Sequence, residues 1–544
     1  MIDAEAKKPN VLFITSDQQR GDCYGFEGCR IKTPHLDRLA AEGTRFAACI
    51  TPNVVCQPSR ASILTGLLPM THGVHDNGIS LDPEIGGAGF AGSLSAAGYR
   101  TGFVGKAHFA TYSTFAPTGR PECIESSKDF GPDWTGPYMG FEHVEMMLVG
   151  HNWFPVRKPP QGLHYERWYH ADGRGDEKTD LYWGDFRETG GLAAQTWNSK
   201  LPEAWHNSAW VGDRTIDFIR QGNETPWCVW ASFPDPHHPF DAPEPWCTLH
   251  HPDDVDLPAH RTRDFDRRPW WHREIVEKKI EGEFAELRAQ YSRIPFQSDR
   301  QLRHLIANYY GQISLIDHHV GRILIALAES GQADNTIVVY SSDHGDWLGD
   351  HGLILKGPMH YEGLLRVGLI LRGPGVPAGR VVGDPVSTID LPATFLDWAG
   401  ADWAGADWAG ADWAGADWAG ADWADATGLD ARHSKSLRPL IEGTGENGGR
   451  NGAGRDYAYN EWELHPNRAG VQLSLRCVRT KTHKLTWEAL SDSGELYDLA
   501  NDPQEMDNRW NDPGAEKVQR ELMDMIRARP NDMIPALNEP DGAA

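Results

Sequence analysis

The chain has 544 residues, of which 40% are hydrophobic and 24% charged. This length accommodates one large domain and a smaller one, and the composition is that of a soluble globular protein. The net charge of −25 argues against nucleic acid or an anionic membrane as a partner. No stretch reaches transmembrane length, and the polar N-terminus lacks a signal-peptide core. The eight cysteines show no pairing pattern, so we expect reduced thiols and a cytoplasmic location.

Buried strands alternate with helices along most of the chain. Val11–Thr15 is an apolar run typical of a parallel strand buried on both faces. A helix begins at Thr33-Pro34 and ends at Gly43. The same alternation recurs downstream, with predicted strands at 227–233, 336–340 and 367–371 and a long amphipathic helix at 301–329. The pattern predicts an α/β fold, an α/β/α sandwich whose large, mostly parallel sheet is covered by helices on both faces.

Polar residues follow three of the predicted strands. Asp17, His237 and Asp343 each lie just beyond a strand end, and ligands of parallel sheets bind beyond the carboxyl ends of the strands. We therefore expect these three side chains at one rim of the sheet. Regions 110–210 and 240–300 are rich in Trp, Pro and His with weak periodicity, and we interpret them as insertions around this rim that carry specificity.

The C-terminal part is predicted to form a small subdomain of its own. We place the catalytic domain at 1–442, a Gly-rich linker at 443–455 and an α+β subdomain at 456–544. Short alternating stretches in the last region, at 472–476, 484–487 and 495–499, predict an antiparallel sheet followed by a terminal helix.

One segment repeats a five-residue unit. Asp-Trp-Ala-Gly-Ala occurs five times within the insertion 397–424, and a period of five suits neither a helix stripe nor a strand face. The first copy is interpreted as the end of a helix, Leu391–Trp398, with Gly400 as its cap. The other copies are interpreted as an expansion extruded as a surface loop. An aromatic contact with a partner subunit is the alternative.

The most informative run is Cys56–Arg60, Cys-Gln-Pro-Ser-Arg, at the start of a predicted helix. A thiol at a helix N-terminus can act as a nucleophile, whereas a buried Cys before a Pro-initiated helix is the structural alternative. The run resembles the signature of the sulfatase family. The resemblance implies that Cys56 is converted co-translationally to formylglycine, whose hydrate offers one hydroxyl for attack and a second for expelling the product.

Carboxylates and an imidazole suggest a metal site. Two carboxylates and a histidine after adjacent strands suit one divalent cation, although such residues also cap strands and form turns. Resemblance to the alkaline phosphatase superfamily implies that the ligands are Asp17, Gln18, the modified Cys56, Asp343 and His344. Gln18 stands where many sulfatases carry a second Asp. The imidazole shifts the preference from calcium toward manganese without deciding between them.

Two further motifs resemble those of sulfatases. Gly105–His108 resembles a Gly-Lys-x-His motif, which implies that Lys106 binds a sulfate oxygen and that His108 helps the hydrate to collapse. Asp235–Phe240 resembles a segment whose first histidine, here His237, faces the oxygen of the leaving group. A histidine beside a proline is otherwise often structural.

Three single residues complete the resemblance. Lys356 matches a second lysine that contacts sulfate, and Asn77 matches an asparagine that contacts the oxyanion in choline sulfatases and phosphonate monoester hydrolases. Arg60, one turn into the helix of the nucleophile, is expected to fix the orientation of the hydrate. A lone lysine is usually a solvated surface group, so the resemblance depends on all the motifs occurring in the order found in the family.

These features predict a metal-dependent hydrolase of aryl or alkyl sulfate monoesters. A divalent metal would acidify the nucleophile, Lys106 and Lys356 would stabilise the sulfuryl oxygens, and His237 would protonate the departing alcohol. His108 would then take a proton so that the aldehyde re-forms and sulfate leaves. The implied partners are a small sulfate ester and a formylglycine-generating enzyme, and we expect a homo-oligomer.

Two alternatives remain open from the sequence. A phosphonate monoester or phosphodiester hydrolase would use the same scaffold, because its substrates also carry one negative charge. A non-catalytic protein that binds sulfate esters would leave Cys56 unmodified. Retention of Lys106 and His108, which phosphonate monoester hydrolases replace with hydroxyl residues, favours the sulfatase.

Overall fold

The computed structural model describes residues 7–150, 156–222, 224–278, 285, 295–403, 433–443 and 454–542. Within them the chain forms an α/β/α sandwich on a nine-stranded sheet, followed by a four-stranded antiparallel sheet, which confirms the predicted fold class. The large sheet contains β1 (Asn10–Ser16), β2 (Thr44–Ile50), β3 (Arg100–Lys106), β4 (His143–Met147), β5 (Trp227–Ser232), β6 (Thr336–Ser342), β7 (Arg366–Arg372), β8 (Arg380–Val382) and β9 (Val386–Ser387). The small sheet contains β10 (Tyr457–Leu464), β11 (Leu473–Thr480), β12 (His483–Glu488) and β13 (Ser493–Asp498).

Helices of very different lengths connect these strands. None in the described residues combines the length and apolar character needed to cross a membrane. They are α1 (Pro34–Ala41), α2 (Cys56–Thr65), α3 (Pro69–His72), α4 (Pro83–Gly87), α5 (Phe90–Ala96), α6 (His164–His170), α7 (Gly175–Thr189), α8 (Asn207–Arg220), α9 (Trp246–Leu249), α10 (Trp270–Glu277), α11 (Asp299–Glu329), α12 (Glu362–Leu365), α13 (Leu391–Ala399), α14 (Arg438–Glu442), α15 (Pro466–Ala469) and α16 (Glu516–Arg527).

The large sheet has the strand order β4-β3-β5-β1-β6-β7-β2-β8, with β9 beside β2. The central strand β1 pairs in parallel with both β5 and β6. Among the strands described for the large sheet, only β7 runs antiparallel to its neighbours, β6 and β2. The carboxyl ends of β5, β1 and β6 therefore meet at one rim, as the sequence predicts.

Apolar side chains of β1 supply both faces of the sheet. Val11 and Phe13 belong to the hydrophobic cluster on one face, and Leu12 and Ile14 belong to the cluster on the other. Successive residues of a strand point to opposite faces, so an uninterrupted apolar run suits a strand covered by helices on both sides. This packing holds the end of β1 rigidly.

Strand β3 is not evident from sequence because Gly102 and Gly105 have low strand propensity. Their tertiary contacts explain them. A Cβ atom at Gly102 would lie 2.4 Å from the ring of Phe218, and one at Gly105 would lie 2.0 Å from the carbonyl oxygen of Ser232. Close packing of helix α8 and strand β5 therefore requires glycine at both positions. The strand ends at Lys106.

The small sheet packs against the segment that precedes Cys56. Val54 and Val55 share a hydrophobic cluster with Trp462 and other residues of β10 and β11. The side-chain amide of Asn460 also donates to the carbonyl oxygen of Thr51 at 2.9 Å. The C-terminal sheet therefore supports the loop that leads to the nucleophile. The domain boundaries at 442 and 455 stay predictions, because residues 444–453 lie outside the described ones.

The tryptophan repeat begins as predicted and then departs from prediction. Helix α13 is capped by Gly400 in the left-handed conformation, with φ 57°. In the second copy, however, Ala401 and Trp403 pack against the core, and a Cβ atom at Gly66 would lie 2.9 Å from the Trp403 indole. The expectation that every copy after the first is extruded is therefore wrong for the second copy. Its Trp403 indole packs over Gly66 and against the core. Residues 404–424 lie outside the described residues.

Candidate active site

Two neighbouring strand ends bring the predicted metal ligands together. Ser16 of β1 pairs with Ser342 of β6, so the next residues, Asp17 and Asp343, lie side by side, followed by His344. All three are fully or almost fully buried. The register of one parallel strand pair therefore brings together residues that are more than 300 positions apart in the sequence.

Cys56 begins helix α2 beside these strand ends. Its Sγ atom lies 3.7 Å from Asp17 Oδ1 and 3.2 Å from His344 Nε2. The hydroxyls of Thr51 and Ser59 each donate to the carbonyl oxygen of Asp343 at 2.6 Å. These bonds fix the N-terminus of α2 to the end of β6 and place residue 56 within the ligand cluster.

The cluster has the donor set of a divalent cation. Asp17, Cys56, Asp343 and His344 each offer one ligand atom, and these atoms all lie within 4.8 Å of one another. Gln18 donates through Nε2 to Asp346 Oδ2 at 2.5 Å, and its Oε1 atom is buried without a hydrogen-bond partner. Two carboxylates, an imidazole and an unpartnered amide oxygen nearby fit an ion such as manganese or calcium.

Buried cations surround the two carboxylates. Lys106 Nζ lies 2.6 Å from Asp17 Oδ2. Arg60, which is 0% exposed, donates through Nε to Asp343 at 2.8 Å and through Nη2 to Asp17 at 3.1 Å. No hydrogen bond joins Arg60 to Cys56 in the described part of the chain. Arg60 therefore holds the two carboxylates and interacts with Cys56 through its charge, and its expected effect on the hydrate of residue 56 stays a prediction.

Lysines dominate the electrostatics of the nucleophile. Lys356 Nζ lies 3.0 Å from Cys56 Sγ and 3.2 Å from His344 Nε2. Burial and the Asp17 carboxylate raise the pKa of the Cys56 thiol, but Lys356, Lys106 and His344 outweigh them and hold that pKa well below its usual value. The same position therefore stabilises negative charge on whichever atom residue 56 presents.

The two carboxylates differ in their charge balance. Burial raises the pKa of Asp17, but the charges of Lys106 and Arg60 prevail and hold it well below the ordinary value. Burial together with the neighbouring Asp17 charge raises the pKa of Asp343. The buried cations therefore favour the charged form of Asp17 more strongly than that of Asp343.

His108 lies just beyond the end of β3 and is largely buried. Burial lowers the pKa of His108 to about 4, against the raising effect of the nearby Cys56 thiol. The imidazole is therefore neutral near pH 7 and can accept a proton. Its backbone has φ 53°, in the left-handed region.

The remaining predicted residues lie on loops tied to this cluster. Asn77 Oδ1 accepts a hydrogen bond at 2.9 Å from the backbone N–H of Gln57, the second residue of α2. His237 Nδ1 donates to the carbonyl oxygen of His238 at 2.6 Å, which fixes the orientation of the ring. The His237 loop is anchored to the metal ligands because Asp17 N–H donates to the carbonyl oxygen of residue 235 at 2.9 Å.

Sequence reasoning missed several residues that support the site. Ser232 accepts a hydrogen bond from Arg60 at 2.8 Å, and Asp346 accepts one from Gln18. Glu122 and Gln312 hold the loops that carry His108 and His237. These four lie at a strand end, in unpatterned insertions or inside a helix, and no motif marks them.

Comparison with known proteins identifies the family. The family profile described as Sulfatase matches residues 9–401. The chain belongs to the sulfatase family. A second profile, N-sulphoglucosamine sulphohydrolase, C-terminal, matches residues 418–531. The sulfatases are sulfuric ester hydrolases of the alkaline phosphatase superfamily, and the resemblance found in the Cys56–Arg60 run is thereby confirmed.

Relatives of this sulfatase include several kinds of ester hydrolase. An arylsulfatase of Clostridium perfringens is 29% identical over 533 residues, covering 93% of this chain and 90% of the relative. A choline-sulfatase of Rhizobium meliloti is 28% identical, covering 72% and 68%. The solved structure of the phosphonate monoester hydrolase of Agrobacterium radiobacter is similar with a TM-score of 0.71 and 25% identity, covering 96% and 95%.

Proposed function

We propose that this sulfatase hydrolyses aryl or alkyl sulfate monoesters through a formylglycine made from Cys56. The observation that carries the proposal is the position of Cys56, whose Sγ atom lies within 3.2 Å of both His344 and Lys356 at the start of a buried helix. A structural cysteine has no need of such charged neighbours. A formylglycine-generating enzyme would carry out the conversion, and the unpaired state of all eight cysteines fits a cytoplasmic enzyme.

The metal would be held by Asp17, Asp343, His344 and residue 56, with Gln18 Oε1 as a fifth donor. A divalent ion bound there supplies Lewis-acid chemistry, which lowers the pKa of a hydroxyl that it contacts. Arg60 keeps the two carboxylates in a fixed arrangement through its bonds to both. The histidine favours manganese over calcium.

In the first step, a hydroxyl of the residue 56 hydrate loses its proton to solvent, and its oxygen attacks sulfur as the bond from sulfur to the alcohol oxygen breaks. The ammonium groups of Lys106 and Lys356 stabilise the charge on the sulfuryl oxygens. His237 supplies a proton to the departing alcohol. Its Nδ1–H is bonded to the carbonyl oxygen of His238 at 2.6 Å, which orients the ring.

In the second step, the sulfate ester on residue 56 is released. His108, kept neutral by burial, accepts the proton of the remaining hydroxyl. The carbon–oxygen double bond of the aldehyde then forms while the bond from carbon to the sulfate oxygen breaks. Water later adds to the aldehyde and restores the hydrate, so the net reaction consumes one water per ester.

Mass spectrometry of the peptide that contains Cys56 tests this proposal. We expect a residue lighter than cysteine that reacts with hydrazide, together with one divalent ion per folded chain. Cys56→Ala should lower turnover by several orders of magnitude, as loss of a nucleophile does in comparable sites. Asp343→Ala should lose both the ion and turnover. Fully active protein that contains only unmodified cysteine, or that works after metal removal, would contradict the proposal.

A further inference from the structure

The backbone at His108 is strained. Its φ of 53° lies in the left-handed region, which is unfavourable for a non-glycine residue and persists only where the surroundings enforce it. The residue follows β3 directly, and its ring must reach residue 56. Something in the fold therefore has to hold the chain in this conformation.

Glu122 makes the contacts that do so. Its Oε1 atom accepts hydrogen bonds from the backbone N–H groups of Phe109 at 3.2 Å and Ala110 at 3.1 Å, the two residues that follow His108. Tyr138 donates its hydroxyl to the same oxygen at 2.8 Å. The side chain is 0% exposed, and the second oxygen, Oε2, is buried without a hydrogen-bond partner.

The Glu122 carboxyl is buried beside the residues that follow His108. Burial raises the pKa of Glu122 to about 7 in spite of the three hydrogen bonds to Oε1. Burying a carboxyl group is costly unless its bonds serve the structure. The two backbone donors are consecutive, so a single oxygen fixes the direction in which the chain leaves His108.

We propose that Glu122 is a positioning residue for His108, holding its imidazole against residue 56 by collecting the next two backbone N–H groups on one buried oxygen. The inference rests on the proposed function, in which His108 accepts a proton in the second step. It adds a residue from an insertion that carries no sulfatase motif.

The proposal predicts a defect confined to one half of the reaction. When His108 is displaced, the proton of the remaining hydroxyl has no acceptor, so the sulfate ester on residue 56 persists. The first step, in which the bond from sulfur to the alcohol oxygen breaks, depends on His237 and not on His108. Its rate should therefore be unchanged. Alcohol should therefore be released in a burst equal to the enzyme concentration, followed by slow turnover.

Two substitutions at position 122 separate the hydrogen bonds from the charge. Glu122→Gln retains Oε1 as an acceptor, whereas Glu122→Met removes it. We expect Glu122→Met to lower the steady-state rate by about 100-fold, the scale of a 1 Å misplacement, and to show the burst. Intact mass should increase by one SO3 unit during turnover. Glu122→Gln should behave like the wild type, with no burst and no accumulation of the sulfate ester on residue 56.

Asp317→Leu is a matched control. Asp317 is also a buried carboxyl that accepts two consecutive backbone N–H groups, those of His35 and Leu36, at 3.2 and 2.7 Å. Burial likewise raises its pKa to about 7. Its loss should lower stability without a burst or a mass increase. If Glu122→Met does not fold, Glu122→Asp, which withdraws the carboxylate by one methylene, should show the same accumulation.

His108→Ala distinguishes failure of this inference from failure of the proposed function. If His108→Ala does not accumulate the sulfated chain, the assigned role of His108 is wrong. If His108→Ala accumulates the sulfated chain while folded Glu122→Met or Glu122→Asp does not, the positioning role of Glu122 is overturned. A defect in Glu122→Gln as large as that in Glu122→Met would also overturn it, because the acceptor is retained.

Discussion

At the scale of single residues, the site depends on a dense balance of buried charge. Asp17 contacts both Lys106 at 2.6 Å and Arg60 at 3.1 Å, and all three are buried. Removing one member of such a group leaves an uncompensated charge. A substitution in this group therefore changes the charge balance of the site as well as the catalytic step. Comparing the loss of kcat/KM between two substrates separates these effects.

Lys106 provides that comparison between sulfate and phosphodiester substrates. A sulfate ester presents three unsubstituted oxygens to the protein, whereas a phosphodiester or phosphonate ester places a carbon substituent at one of these positions. The ammonium of Lys106 would then be poorly paired. We expect Lys106→Ala to lower kcat/KM for aryl sulfates more than for phosphodiesters, and the wild type to prefer sulfates. Equal losses, or better activity on phosphodiesters, would favour the phosphonate monoester hydrolase reading.

Glu122 also predicts how stability depends on pH. Burial raises its pKa from 4.5 to about 7, so between these values the folded chain holds a proton that the unfolded chain has released. The contribution of Glu122 to the free energy of unfolding should therefore fall by about 3 kcal/mol as pH rises from about 4.5 to 7. Above pH 7 this contribution should stay constant. Glu122→Gln lacks this contribution. Urea unfolding of both proteins at several pH values measures the difference, and a difference independent of pH would exclude the shift.

At the scale of elements, helix α11 controls the loop that carries His237. Gln312 donates through Nε2 to Asp235 at 3.3 Å, to the carbonyl oxygen of Pro239 at 3.0 Å and to Asp241 at 2.9 Å. One amide thus joins both ends of the loop. A strand end fixes where the loop begins, and this helix fixes how it returns.

The contacts of Gln312 lead to a prediction about leaving groups. Gln312→Met should free the His237 loop and weaken proton donation to the departing oxygen. Alkyl sulfates need that proton more than aryl sulfates do, because an alkoxide is the poorer leaving group. We therefore expect a larger loss of kcat for alkyl than for aryl sulfates.

Gln332→Met is the control for this prediction. Gln332 is a buried glutamine just beyond the end of α11 that bonds to Ile219 and Ser330. Its substitution should cost stability and leave the ratio of alkyl to aryl rates unchanged. A uniform loss in Gln312→Met would assign that residue a structural role only.

At the scale of the whole molecule, the large domain and the C-terminal sheet build the site jointly. The N–H of Glu461 in β10 donates to the carbonyl oxygen of Pro52 at 3.1 Å, close to the nucleophile. Farther along the chain, Asp541 N–H donates to the carbonyl oxygen of Gly78 at 2.6 Å, beside Asn77. The C-terminal region therefore holds two of the loops that surround residue 56.

The tryptophan repeat gives a prediction at this scale. Deleting 404–423, four units after the packed Trp403, should leave kcat per folded chain nearly unchanged, because the sequence predicts a surface loop there and such loops tolerate changes of length. Deleting 401–423 removes Trp403 as well and should lower stability, since that indole packs on the core. Size-exclusion chromatography with light scattering tests the expected homo-oligomer. Smaller particles after the shorter deletion would support a subunit contact, and loss of turnover would place the repeat at the active site.

The fold class, the family and most residues of the candidate site can be predicted from the amino-acid sequence. Apolar runs such as Val11–Thr15 predict buried parallel strands because both faces must be covered, and Asp17 and Asp343 follow strand ends where ligands bind. Local signals also place the end of α13, since Gly400 is free to adopt positive φ. The order of Cys56, Lys106 and the later motifs needs no structure to be recognised.

The residues that support this site become apparent only in the folded chain. Glu122, Gln312 and Ser232 act through hydrogen bonds to groups distant in sequence, and such contacts leave no periodicity or spacing to detect. Strand β3 is missed because its glycines have low strand propensity, and they are required for close packing against α8 and β5. The repeat pattern alone does not predict that Trp403 packs against the core, because this depends on its contact with the surface at Gly66.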